Sequence, residues 1–97
     1  MIQSFRGKGT ADVFHGVSSK AARKVLPATL GAVARRKLDQ LNQAAKLEDL
    51  RVPPKNMLEA LKSDRRGQHS VRINEQYRIC FVWTDSGPEQ VEIVDYH

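Results

Sequence analysis

Cys80 is the only cysteine in 97 residues, so no internal disulfide can staple the chain and no cysteine-rich zinc site can form. The three histidines, His15, His69 and His97, are scattered without the spacing of metal ligands. No metal or other cofactor is therefore expected. No apolar run approaches the roughly 20 residues that cross a bilayer, so no membrane partner is expected. The opening Met1-Ile2-Gln3-Ser4-Phe5-Arg6 has neither an apolar leader segment nor a small-residue cleavage site, and a cytoplasmic location is the default expectation. Gly7-Lys8-Gly9 is too short for a phosphate-binding loop. Repeats and low-complexity tracts are absent, and the length suits one domain over residues 1–97 with a single modest core.

Charge is present in excess and unevenly spread. Residues 1–72 carry 15 Lys/Arg against 6 Asp/Glu, a net +9, whereas residues 73–97 carry 1 against 5, a net −4. A surface of the first kind attracts polyanions by counterion release, and nucleic acid is the commonest such partner. Composition alone leaves RNA, DNA and an acidic protein as alternatives.

Met1 to Phe5 reads as a short strand ended by Gly7-Lys8-Gly9, after which Thr10 can cap a short helical stretch through Phe14. Ser18-Ser19-Lys20 to Val25 reads as a helical turn or two, stopped before Pro27, which suits the first position of a longer helix. In that helix Leu30, Ala34, Leu38, Leu41 and Ala45 form one apolar stripe, while Arg35, Arg36, Asp39, Gln40 and Gln43 fall mostly outside it. Pro53-Pro54 excludes helix and central strand, making Leu47 to Asn56 a connection from helix to sheet. Extended runs follow at Met57–Lys62, Gln68–Ile73, Tyr77–Trp83 and Gln90–Tyr96, separated by turn-forming segments. The order predicts an α+β domain, with an N-terminal strand and helices packed on one face of a small, curved, mainly antiparallel sheet.

Alternation places Tyr77, Ile79, Phe81 and Trp83 on one face of their strand and Arg78, Cys80 and Val82 on the other. In the preceding strand Val71 and Ile73 oppose Ser70 and Arg72. Core can meet core across the hairpin only if the loop has an odd number of residues, and Asn74-Glu75-Gln76 supplies three. That register pairs Ile73 with Tyr77, Arg72 with Arg78 and Val71 with Ile79. Two guanidinium groups then lie side by side on the helix-free face, an arrangement that is destabilising unless an anion sits between them. Arginine's planar fork holds two phosphate oxygens at once. Arg72 and Arg78 are thus candidates for the floor of a phosphate site, with Lys62, Arg65 and Arg66 in the adjoining turn. Solvation, or pairing with Glu92 or Asp95, is the alternative for either arginine alone.

Asp95-Tyr96-His97 closes the sequence with three side chains able to hold or move protons, next to this basic hairpin. Strict alternation puts Asp95 and His97 on the face of Val91 and Ile93 with Tyr96 opposite, so the strand must twist or end near Val94 for all three to share a groove. The terminal carboxylate beside His97 is expected to favour its imidazolium form. His69, at the start of a strand beside the basic turn, either contacts RNA or is solvated. Trp83, Phe81 and Cys80 read as core. Arg35, Arg36 and Lys37, like Arg51 and Lys55, are either a wet helix face or contacts to ribosomal RNA.

The segment from Leu58 through Lys62-Ser63-Asp64-Arg65-Arg66-Gly67 to Tyr77-Arg78-Ile79-Cys80-Phe81 resembles the HigB-type branch of the RelE/ParE toxin superfamily. The ending Val91-Glu92-Ile93-Val94-Asp95-Tyr96-His97, the opening Met1 to Phe5, and the helix with Arg36-Lys37-Leu38 followed by Leu47-Glu48-Asp49-Leu50 and Pro53-Pro54 are similar too. The resemblance implies a RelE-like fold and a toxin of a type II toxin-antitoxin pair that cuts translated mRNA in the ribosomal A site without a metal. It implies that His97 transfers a proton, that Tyr96 stacks on or hydrogen-bonds the RNA, that Asp95 orients its neighbours, and that Arg78 and Lys62 hold the scissile phosphate. Arg72, Arg65, Arg66 and His69 would bind RNA around them. Some HigB-like members have a catalytic histidine where this sequence has Glu59, which is either the base for the 2′-hydroxyl or a plain exposed strand position. The partners implied are a helix-turn-helix antitoxin, operator DNA reached only through that antitoxin, and the ribosome with mRNA. A ParE-like toxin aimed at gyrase and a non-catalytic basic RNA- or ribosome-binding module are the rival readings.

Overall fold

The computed structural model describes residues 1–96. Helix α1 (Lys8–His15), helix α2 (Lys20–Val25) and helix α3 (Gly31–Gln43) precede four strands, β1 (Glu59–Ala60), β2 (His69–Arg72), β3 (Tyr77–Thr84) and β4 (Gly87–Asp95). The strands form one antiparallel meander in the order β1-β2-β3-β4. The helices cover one face of it, which is the expected α+β architecture. The core that joins the two layers is made by Ala34, Leu38 and Leu41 of α3 with Val71, Ile73, Ile79, Phe81, Val91 and Ile93 of the sheet, all buried. The middle of the stripe read from helical spacing is therefore the buried part, whereas Leu30 is half-buried in a 3-10 turn (Ala28–Leu30) that follows Pro27 and precedes the helix, and Ala45 lies beyond the helix and is exposed.

The N-terminal strand is reduced to a single parallel bridge between Phe5 and Val91. Around it Gln3 N–H donates to Pro88 O (2.7 Å), Arg6 N–H to Val91 O (2.9 Å) and Val91 N–H to Ser4 O (3.1 Å). The segment extends the sheet beyond β4 without regular pairing because β4 carries a bulge there: Cys80 pairs with Glu92 but Val82 with Glu89, and Gln90 takes a positive φ of 53°. β4 also starts earlier than turn chemistry implied. Gly87 and Pro88 belong to the strand, and the loop shrinks to Asp85-Ser86.

Thr10 is not a cap. Helix α1 begins at Lys8, and Thr10 sits inside it, buried, where its Oγ1 accepts the N–H of Ile93 at 3.0 Å. A backbone donor in the sheet is thereby satisfied by a helix side chain. Ser19 does cap α2, accepting from Ala22 N–H at 3.0 Å. Asp12 joins the two helices by accepting from Lys8 (2.6 Å) and Ser19 (2.6 Å), and these bonds hold its carboxyl below the ordinary aspartate value. The connection Leu47 to Asn56 holds two 3-10 turns, Leu47–Arg51 and Pro54–Asn56. Its anchor is Asn56, fully buried, whose Nδ2 donates to Gln40 Oε1 (3.0 Å) and to the carbonyls of Leu50 (3.1 Å) and Val52 (3.3 Å), while its Oδ1 accepts from Lys37.

Gly9 has a role that its place after Gly7-Lys8 did not reveal. A Cβ there would lie 2.5 Å from the carbonyl oxygen of Ala21 and 2.8 Å from Val25 Cγ1, so α1 and α2 approach through the missing side chain. Gly9→Ala is expected to cost about 1–3 kcal/mol of folding stability by overpacking. Urea denaturation with an unchanged m-value measures that loss, whereas a shift within error would mean that the helices part freely.

Candidate RNA-cleaving site

The register inferred from loop parity is the one present: Val71 faces Ile79, Arg72 faces Arg78, and Ile73 N–H bonds Tyr77 O at 2.9 Å. Asn74 fixes the loop by accepting from the N–H groups of Gln76 (2.9 Å) and Tyr77 (2.8 Å) through Oδ1. The two guanidinium groups converge on Met57. Arg78 Nη2 donates to Met57 O at 2.7 Å, and Arg72 places Nη1 3.2 Å from Met57 Sδ while its Nε donates to Asn74 O at 3.0 Å. Met57 follows the Pro54–Asn56 turn in the left-handed region, φ 48° and ψ 52°, which a non-glycine residue seldom adopts. Such outliers collect at functional sites, where surrounding contacts hold them. Here the conformation delivers a carbonyl to Arg78.

Arg78 is the centre of the group. Only 12% of its side chain is exposed, and Glu59 Oε1 lies 3.7 Å from its Nη1, too long for a tight charge-assisted bond. The Tyr96 ring stands below its guanidinium at 5.7 Å, a cation–π distance. Its Nε is buried and finds no hydrogen-bond partner among the described residues. The neighbouring row across the sheet runs Glu59, Ser70, Cys80, Glu92, one residue from each strand. Ser70 and Cys80 are fully buried beneath the carboxylates, and Ser70 Oγ also lacks a partner among the described residues. Burial pushes the Cys80 thiol above its usual pKa, with Arg65 pulling it down and Glu92 raising it.

The remaining candidates divide. Arg65 is half-buried and bonded to Gln68 Oε1 (3.1 Å) and Glu92 Oε1 (3.2 Å), so it braces the Ser63–Arg65 turn against β4. Lys62 and Arg66 flank that turn and are exposed. Asp95 lies opposite Tyr77, and both of its carboxylate oxygens accept from Gln76 Nε2, at 3.2 and 3.1 Å. Tyr96 is 40% exposed, and its N–H donates to Gln76 O at 2.6 Å. Tyr96 thus shares the arginine face and Asp95 does not, as alternation implied. His97 lies outside the described residues. His69 is on the other side of the sheet: it pairs with Phe81 and stacks on its ring at 6.2 Å, half-buried on that face instead of beside the arginines. Met57 and Gln76, which hold the arginines and the tail, carry no signal in a single sequence.

Among the described residues no group of three or more His, Cys, Asp or Glu could hold a metal ion, and no helix is long and apolar enough to cross a membrane. An antiparallel four-stranded meander covered on one face by three helices is the fold of small RelE-like toxin domains. Over its full length the chain superposes on a chain of the YoeB–YefM complex from Staphylococcus aureus with a TM-score of 0.61 and 18% identity, covering 95% of that chain, a likeness of fold. Residues 3–97 match the family described as the RelE-like toxin of the type II toxin-antitoxin system HigB, and the chain belongs to that family. Toxin HigB-1 of Vibrio cholerae serotype O1 is 39% identical over 62 residues, 64% of this chain and 65% of the relative. An uncharacterized protein of Haemophilus influenzae is 36% identical over 61 residues, 63% of this chain and 60% of its own. The matches therefore span less than two thirds of those relatives' lengths.

The burial of Cys80 sets a simple expectation. Iodoacetamide at neutral pH should leave the folded protein unmodified and alkylate it once denaturant is added, as read by intact mass; rapid labelling of the native protein would show that the open face gapes down to its second row.

Proposed function

We propose that this toxin is an endoribonuclease that cuts mRNA in the ribosomal A site, with Arg78 as the residue that stabilises the reacting phosphate. The observation that carries the reading is the convergence of Arg72 and Arg78 on Met57 with the Tyr96 ring against Arg78. Cleavage by the RNA's own 2′-hydroxyl needs three things: a proton taken from that hydroxyl, charge stabilised on the crowded phosphorane, and a proton given to the departing 5′-oxygen. A half-buried guanidinium fixed by Met57 O, whose Nε finds no partner among the described residues, is pre-organised for the second task, since its donors are held in place and partly shielded from water. Lys62, exposed at the edge, and Arg72 add positive charge. Tyr96 offers a ring face for a base and a hydroxyl for hydrogen bonding.

Proton transfer is assigned to His97 by the family pattern, with Asp95 as an orienting group. Glu59 stands where it can accept the 2′-hydroxyl proton or serve as the resting counter-ion of Arg78, which an incoming phosphate would displace. Arg65 acts indirectly in this scheme, by bracing the turn that carries Lys62 and Arg66. The family and the neighbour's complex with YefM support a protein antitoxin as the partner in the cell, of helix-turn-helix type by resemblance to HigB systems, and this chain would reach operator DNA only through it.

Arg78→Ala is expected to lower the cleavage rate on programmed ribosomes by about 10²–10³-fold with binding largely kept, the cost of removing one transition-state donor. The upstream fragment should end in a 2′,3′-cyclic phosphate, and the rate should persist in chelator. An inert non-catalytic binder would instead lose affinity in proportion to one phosphate contact, and gyrase inhibition with intact mRNA would move the assignment to the ParE-like branch.

A further inference from the structure

Beside the arginine pair runs a groove between α3, the Pro54–Asn56 turn and the end of β2. Arg36, Lys37, Lys55 and Arg72 line it together with Gln40 and Met57, and no carboxylate lines it among the described residues. The groove is continuous with the candidate site, because Arg72 and Met57 belong to both. Among the described residues its cations form no salt bridge. Lys37 is half-buried, and burial first, then Arg36 and Lys55, lower its pKa below the ordinary lysine value. An anion in the groove would offset the repulsion from Arg36 and Lys55 and favour the charged ammonium. Lys37 is also positioned: its ammonium bonds Oδ1 of Asn56, whose amide is locked by Gln40 and two backbone carbonyls. A cation pre-organised in this way gives up little rotamer freedom on meeting a ligand.

We infer that the groove is a second phosphate subsite, in which Lys37 and Lys55 hold a phosphodiester of the same RNA strand whose scissile phosphate lies at Arg78. The inference rests on the nuclease reading and adds a direction to it: the strand leaves the cut site past Met57 toward α3. Lys37 reaches the phosphate from the groove wall, and Lys55, fully at the surface, from its rim. The subsite acts on binding and leaves the chemical step to Arg78.

The test is a double-mutant cycle between protein and mRNA on programmed ribosomes. Lys55→Gln, Lys37→Met and Lys37→Arg are compared on mRNAs in which single phosphates near the cut are replaced by neutral methylphosphonates. Lys55→Gln and Lys37→Met should each raise the toxin concentration for half-maximal cleavage about tenfold, the size of one charge-assisted contact, with the saturated rate kept. Lys37→Arg should restore most of that loss. One methylphosphonate should impose the same penalty on the wild type and none further on the two charge-removing variants. Should Lys37→Met unfold through loss of its bond to Asn56, the exposed Lys55→Gln carries the test alone. Unchanged half-maximal concentrations overturn the inference while leaving cleavage by Arg78 intact. Penalties that add independently to every methylphosphonate place the contact on ribosomal RNA and overturn it too. So does a variant that cleaves normally but loses antitoxin, which would make the groove a protein-docking surface. Failure of the wild type to cut any mRNA sinks the nuclease reading itself.

Discussion

Two positive charges set directly opposite each other on neighbouring strands repel, and the structure persists with them because carbonyl oxygens are aimed at both. Met57 O takes Arg78 and Asn74 O takes Arg72. Everything on the open face follows from that pair of contacts. The Tyr96 ring lies against Arg78, Glu59 stays 3.7 Å from its Nη1, and Met57 is held in a backbone conformation its side chain disfavours. Among the described residues the Arg78 Nε is left without a partner by this arrangement.

The rest of the fold keeps this face in place from behind. Phe81, Ile79 and Val71 pack against α3, which orients β2 and β3, and Asn56 ties the turn before Met57 to the same helix. A single helix thus positions both the sheet that bears the arginines and the carbonyl that restrains one of them. Glu92 and Arg65 brace the opposite edge. The proteins this family groups together share the scaffold, and in this chain the acid at position 59 gives the open face a carboxylate beside its principal arginine.

Much of this was legible in the residues alone. A repeat of two along Tyr77 to Trp83 and a three-residue loop leave one hairpin register that matches core with core, so the arginine pair could be read before any coordinates. Helical spacing likewise exposed Ala34, Leu38 and Leu41 as the buried stripe. What stayed hidden depended on contacts between distant segments. Thr10 after two glycines looks like a cap, and only the departure of the N-terminal segment from β4 after its bridge at Val91 leaves the Ile93 N–H for it to satisfy. Gly9 looks like a turn residue until α2 is laid against it. Pro53-Pro54 announces a bend, but not which carbonyl the bend presents or to whom. The side of His69 is legible too: it stands two positions before Val71, so alternation assigns it to the face of Phe81, on which it stacks.

The end of β4 hangs from the hairpin loop by a double tether. Gln76 offers its carbonyl to the Tyr96 amide and its side-chain amide to the Asp95 carboxylate. Tilting the loop therefore drags the aromatic ring off its cationic neighbour even when every strand stays paired. A macromolecule gripping Asn74-Glu75-Gln76 would hold a lever on the tail from outside, with the arginines untouched.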